Sequence, residues 1–149
     1  MHIYEAKIRW ACEGDFAKGR YSRAHEWAFD GGAVVHGSSS PLTVPLPFSD
    51  PTAVDPEEAF VAAISSCHML WFLDLARRGG WQVARYEDRA KGRMTDDPYP
   101  WIDRVDLFPE IDWEGEVPDA DTVKALHEEA HARCFIANSV KSDVVVNSQ

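Results

Sequence analysis

Basic residues are scarce in this chain: 15 Lys and Arg stand against 25 Asp and Glu among 149 residues, a formal net charge of −10. Binding a phosphate backbone needs clustered Lys and Arg to displace counterions, so nucleic-acid partners are excluded. Cysteine is scarce too. The three residues Cys12, Cys67 and Cys134 are an odd number and do not form the paired framework of a small secreted scaffold, so any disulfide is expected to be functional. Apolar runs are short: the longest, about fifteen residues from Ala59 to Leu73, is interrupted by Ser65, Ser66 and His68 and falls below the roughly 20 residues of a bilayer span. Glu5, Lys7 and Arg9 break the segment where a secretory leader would be apolar, so neither export nor a membrane partner is expected and the location reads as cytoplasmic. No G-x-G-x-x-G, P-loop, G-x-S-x-G or C-x-x-C motif occurs. The usual signals of dinucleotide, nucleotide, serine-hydrolase and thioredoxin-type chemistry are therefore missing, and no organic cofactor is expected.

Hydrophobic residues make up 45% of the chain, enough for one domain, residues 1–149, with a substantial core. His2 to Trp10 alternates as a strand, and His25 to Val35 reads as a hairpin turning at Asp30-Gly31. Gly37 to Pro41 is a loop. Leu42 to Phe48 reads as a weak strand that Pro45 and Pro47 restrict to an edge. Asp55-Pro56-Glu57-Glu58 starts a helix, with Asp55 placed to cap, Pro56 in the first turn and Glu58 completing a capping box. Arg77 and Arg78 suit its negative end, and Gly79-Gly80 stops it. Its middle is apolar nearly all round, which predicts burial on most sides. Trp81–Met94 and Trp101–Trp113 read as paired strands around the turn-rich Thr95 to Pro100. A second helix follows Pro118-Asp119 with the stripe Val123, Leu126, Ala130, Cys134, and Ser139 to Val146 closes the chain as a strand. The order describes an α+β domain without internal repeats.

Two thiols occupy informative places. Cys67 lies in mid-helix with Ala63 and Ile64 before it and Leu70 and Trp71 after it, surroundings that disfavour a charged thiolate. A reactive Cys67 therefore needs a cation nearby. The candidates are Arg20 and Arg23 in Lys18-Gly-Arg-Tyr-Ser-Arg23, or His68 and Arg133 beside the cysteines. Cys134 ends the second helix and is a possible redox partner, whereas Cys12 has none in evidence.

Asp55-Pro-Glu57-Glu, the ten-residue step from Glu57 to Cys67 in an Ala-rich helix, and a second helix ending in Cys134 with Asn138-Ser139 shortly after it resemble the OsmC/Ohr proteins. These are thiol-dependent peroxidases of the osmotically inducible and organic hydroperoxide resistance groups, and the resemblance covers nearly the whole chain. It implies an OsmC-like fold, antiparallel sheets wrapped around a long buried central helix in an intertwined homodimer. It further implies that Cys67 attacks an organic hydroperoxide or hydrogen peroxide, that Cys134 resolves the sulfenic acid as a disulfide, and that Glu57 and an arginine, Arg23 or Arg20, assist. A thiol or dithiol reductant would restore the pair, with no metal and no cofactor. Two positions depart from the pattern: Cys134-Phe135 stands where the family has Cys-Pro, and His68 follows the first cysteine. Ten residues of continuous helix rise about 15 Å, so Glu57 and Cys67 of one chain cannot share a small site. A two-fold dimer with antiparallel long helices would let the partner subunit's Glu57 complete it.

Other chemistry competes for the same residues. His127-Glu128-Glu-Ala-His131 satisfies the H-E-x-x-H zinc pattern, with Cys134 able to supply a third ligand. The plainer expectation is that His127 and His131 flank the apolar stripe, that His68 is a core histidine bonded to backbone, and that Glu58 answers the helix dipole. Trp71, Phe72, Trp81 and Trp101 could line the pocket of a non-catalytic binder of an apolar ligand, though packing accounts for them equally.

Overall fold

The computed structural model describes residues 1–147. The chain divides into two compact units, Met1–Ala59 and Phe60–Gln149. The first unit holds β1 (Ala6–Arg9), β2 (Gly14–Asp15), β3 (Arg20–Tyr21), β4 (His25–Phe29) and β5 (Val34–Gly37). β4 lies between β1 and β5, antiparallel to both, so that Trp27 faces Ile8 on one side and Val35 on the other. The expected hairpin is β4–β5. Its loop closes where Phe29 accepts the Gly32 amide at 3.0 Å, and Gly32 at φ +92° takes the left-handed conformation. The small β2–β3 ribbon has no pattern in the sequence long enough to announce it; Gly14, at φ +114°, allows it, because a Cβ there would run into the Arg20 carbonyl.

No hydrophobic side chain is buried among the described residues of this unit. The buried positions are Gly37, Ser38, Ser49 and Asp55, while Ile8, Trp10 and Phe16 keep 60%, 43% and 61% of their surface exposed. Leu42–Phe48 is not the weak strand its composition suggests. The Thr43 and Val44 amides both donate to the Ser40 carbonyl, Phe48 donates to Pro45, and the Ser49 hydroxyl donates to Val44, so the segment curls into turns. Pro45 and Pro47 have no N–H to give a ladder, and the local bonds win.

The second unit is built on α1 (Pro56–Arg78), whose first turn belongs to the first unit. Asp55 caps it, accepting the Glu58 amide at 2.8 Å. At the other end Arg77 and Arg78 both pair with Asp74, and Gly80 at φ +85° turns the chain out of the helix. There follow β6 (Val83–Asp88), β7 (Lys91–Met94), β8 (Ile102–Leu107), β9 (Pro109–Trp113), α2 (Ala120–Arg133) and β10 (Asp143–Val146). The two long strands expected from the sequence are each broken once. β6 pairs with β9 and β7 with β8, both antiparallel, and the break is fastened by Asp88, whose carboxylate accepts the Phe108 amide at 2.7 Å and the Ser65 hydroxyl at 2.5 Å. The final strand starts at Asp143 rather than Ser139, because residues Ala137–Ser139 form a 3-10 turn. It joins β8 in parallel, the one parallel ladder among the described strands.

α1 buries a single stripe within the chain: Ile64, His68, Phe72 and Ala76, four residues apart. This is narrower than the burial on most sides that its composition predicts; Leu70 on another face is 61% exposed. Ile64 packs with Val105, Leu107 and Val144, while Phe72 and Ala76 pack with Ala130 under Trp71, Leu75, Trp81 and Trp113. The helix is long and apolar enough to cross a membrane by composition, yet this stripe forms the centre of a folded core. Phe72→Ala should cost about 3–5 kcal/mol in urea denaturation, with Leu70→Ala costing less than about 1 kcal/mol.

Candidate functional site

The second unit brings Cys67 and Cys134 together. Cys67 sits half-buried in the middle of α1, and Cys134 is the C-cap of α2, 1% exposed, with both thiols free. Burial pushes the Cys134 thiol up to about 11, helped by the adjoining Cys67 side chain and opposed by the Ala137 amide, which donates to the Cys134 sulfur at 3.4 Å. Cys134 is thus a protonated thiol at neutral pH, near a more accessible one. The backbone after it turns without a proline: the Asn138 amide donates to the Cys134 carbonyl at 3.0 Å, and the Asn138 side chain donates to Ala132 at 3.0 Å. Phe135, in the place of that proline, sets its ring against Trp71 edge-on at 5.5 Å.

Directly beside Cys67, the His68 ring turns into the core. It is 1% exposed, and its Nε2 lies 3.0 Å from Nδ1 of His127, itself 4% exposed. The two imidazoles meet edge to edge with their planes 7° apart, and Phe72 stacks on a face of His127 at 4.3 Å. Two expectations are corrected here. His68 bonds to a side chain rather than to backbone, and His127 lies on the buried face of α2 instead of flanking it. Desolvation lowers both imidazoles from 6.5 to about 4, so His68 is neutral and cannot be the cation that assists Cys67. The spacing carried this signal unused: His68 is four residues from both Ile64 and Phe72, and His127 falls between Leu126 and Ala130 of the predicted stripe. His131 is exposed, and among the described residues no three His, Cys, Asp or Glu side chains are grouped to hold a metal.

Arg20, Arg23 and Glu57 belong to the first unit. Arg23 is held firmly. Its guanidinium donates to the Tyr21 and Gly19 carbonyls at 2.6 and 3.1 Å and lies 3.6 Å from the centre of the Tyr21 ring, while the His25 ring bonds the Arg23 carbonyl at 2.7 Å. Arg20 is exposed on β3. Glu57 is half-buried in the first turn of α1, two residues after the capping Asp55. Arg133, the remaining cation beside the cysteines, is paired with Glu129 at 2.5 Å and lies 5.6 Å from the Trp71 ring centre. A concavity of about 380 Å³, which sequence reading did not anticipate, is lined by Ile8, Trp10, Phe16, Tyr21, Arg23, His25 and Ser39. By contrast Phe72 is fully buried, Trp71 and Trp81 pack on the core, and Trp101 stacks under Lys141, so the four aromatics considered for a pocket serve packing.

Residues 49–149 match the model of a family described as OsmC-like protein. Over its full length, and over the full length of the other chain, the protein is 40% identical to an OsmC-like protein of unknown function from Vibrio cholerae O1 biovar eltor, with a TM-score of 0.97. The organic hydroperoxide resistance protein OhrB of Bacillus subtilis shares the fold at 18% identity, with 98% of each chain covered and a TM-score of 0.67. An organic hydroperoxide resistance protein from Elizabethkingia anophelis does so at 17% identity, with 99% of this chain and 95% of the other covered and a TM-score of 0.68. No curated protein matches the sequence.

Proposed function

The chain belongs to the OsmC-like family, and from that premise we propose that it is a thiol-dependent peroxidase that reduces organic hydroperoxides through Cys67 and Cys134. The observation that carries this reading is the proximity of two free thiols of unequal exposure. In the first step the Cys67 thiolate attacks the terminal peroxide oxygen. The S–O bond forms as the O–O bond breaks, and the alkoxide takes a proton to leave as an alcohol, with Cys67 now a sulfenic acid. Cys134 then gives up its proton and attacks the Cys67 sulfur; hydroxide departs, leaves with that proton as water, and a disulfide remains. An external thiol or dithiol reduces it by exchange.

Arg23 is the arginine we assign to the thiolate and the peroxide. Tyr21 fixes its guanidinium, and a fixed guanidinium can bind both a thiolate and a peroxide oxygen. Arg23→Ala should lower the second-order rate constant for cumene hydroperoxide about 10²- to 10³-fold, with Arg20→Ala close to unchanged, in stopped-flow peroxide consumption. We assign Glu57 to the partner subunit's site. α1 is unbroken from Pro56 to Arg78, and ten of its residues span about 15 Å. A homodimer also gives cover to a first unit whose Ile8, Trp10 and Phe16 are exposed and which buries no apolar side chain of its own among the described residues.

Intact mass spectrometry after one equivalent of cumene hydroperoxide tests the central claim. The wild type should lose two hydrogen atoms on forming a Cys67–Cys134 disulfide, and Cys67→Ser should stay reduced. Unchanged thiols with a co-purified lipid would replace the peroxidase by a binder, and stoichiometric zinc that is lost in His131→Ala would replace it by a metal protein.

A further inference from the structure

Every turn of the α1 stripe is filled by an apolar side chain except one, where His68 stands between the Ile64 cluster and the Phe72–Ala76 cluster. An imidazole there is an expensive choice unless its hydrogen bond does something that packing cannot. Apolar contacts tolerate a small slide of one helix along another, whereas a 3.0 Å bond between two buried rings has one distance and one direction. The bond lies close to the thiols along the chain. His68 is the residue after Cys67, and His127 lies seven residues, two turns of α2, before Cys134. Phe72 stacked on His127 covers a face of the ring whose edge makes that bond.

The proton order is set by what is left over. His68 Nδ1 is buried and has no partner among the described residues. A bare ring nitrogen there is a lesser loss than a buried N–H with no acceptor, so His68 carries its proton on Nε2 and donates it to His127 Nδ1. We propose that His68 and His127 are positioning residues for the thiol pair: their bond fixes α1 against α2 at the spacing in which Cys67 and Cys134 can close a disulfide. The inference deepens the peroxidase reading for its functional meaning, since the resolving step is the one that needs this spacing. The geometry itself can be read without peroxide.

The test is the equilibrium between the thiol pair and glutathione redox buffers, with the disulfide counted by intact mass. His68→Leu and His127→Leu keep the bulk and remove the bond. Each should lower the equilibrium constant for closing the disulfide at least about tenfold, equivalent to a reduction potential about 30 mV higher. His68→Gln places an amide nitrogen where Nε2 stood, and His127→Asn places an oxygen where Nδ1 stood; both should stay within about threefold of wild type. The His68→Leu/His127→Leu double variant should match either single one, because both remove the same bond. Leu variants with the wild-type constant, additive effects, or a wild type that forms no disulfide in glutathione would each overturn the assignment. If a Leu variant does not fold, His68→Asn, too short to reach His127, takes its place with the same expected drop, and a wild-type constant there overturns it equally. A wild type that closes the disulfide in glutathione but does not consume cumene hydroperoxide would remove the peroxidase reading and leave the positioning role standing.

Discussion

Cys134→Ser protein mixed with excess cumene hydroperoxide should reduce one equivalent in a fast phase, and then consume further hydroperoxide slowly as Cys67 passes from sulfenic to sulfinic and sulfonic acid. The reason lies in the division of labour between the thiols. Cys134 is buried and held up to about 11, so it does not compete for peroxide at neutral pH and waits as a protonated thiol against Cys67. Once Cys67 is a sulfenic acid, a neighbour within bonding reach captures it faster than a second peroxide can, an advantage of intramolecular over bimolecular reaction that reaches several orders of magnitude. Serine at 134 cannot form the S–S bond, and Cys67 is left on the oxidation ladder with nothing to take it off before the irreversible rungs. Cys67→Ser should instead lose turnover from the start, by on the order of a thousandfold or more, because the thiol we assign as nucleophile is gone. Coupled peroxide consumption gives the rates, and tryptic mass spectrometry of the peptide containing residue 67 gives the oxidation state. A Cys134→Ser protein that turns over at the wild-type rate with added dithiol would show that the external reductant resolves Cys67 directly and that Cys134 is packing.

The parts of this site that were legible in the sequence are those that depend on local rules. The Asp55 cap, the Gly79-Gly80 stop and the Asp30-Gly31 hairpin each follow from backbone preferences of a few adjacent residues, and all three formed as expected. Cys67 and Cys134 were legible as a possible pair from their places on two helices, and their roles only through resemblance, since no periodicity says that residues 67 and 134 meet. What escaped was non-local. The breaks that divide two expected strands into β6, β7, β8 and β9 are fixed by Asp88 reaching Phe108 and Ser65, twenty and twenty-three residues away. Leu42–Phe48 has the apolar content of a strand, but its backbone is claimed by bonds to the Ser40 carbonyl and from the Ser49 hydroxyl. The His68–His127 bond lies deepest in this category. Each histidine taken alone was an ordinary polar interruption of an apolar stripe, and only their meeting across two helices gives either a purpose.

That meeting should also make the protein acid-sensitive above the range where carboxylates titrate. In the unfolded chain each imidazole binds a proton near pH 6.5, but in the folded protein desolvation delays this to about pH 4. Around His68 the exposed His131 adds to the depression and Asp88 opposes it, with the balance still downward. Between these two values the unfolded state holds more protons than the folded one, so stability is full above pH 6.5 and falls as the pH falls. From pH 7 to pH 5 the loss amounts to about 2 kcal/mol per imidazole and about 4 kcal/mol for the pair. A domain with a total of roughly 5–15 kcal/mol gives up a large share of its margin over that interval. Urea denaturation at the two pH values reads it directly. The His68→Gln/His127→Asn double variant is the reference: it keeps a donor facing an acceptor across the helices but has no imidazole to titrate, so it should retain its stability at pH 5 while sharing every carboxylate with the wild type. Equal pH slopes in the two proteins would mean that the histidines ionise in place without disturbing the core, and that the helices are held by packing alone.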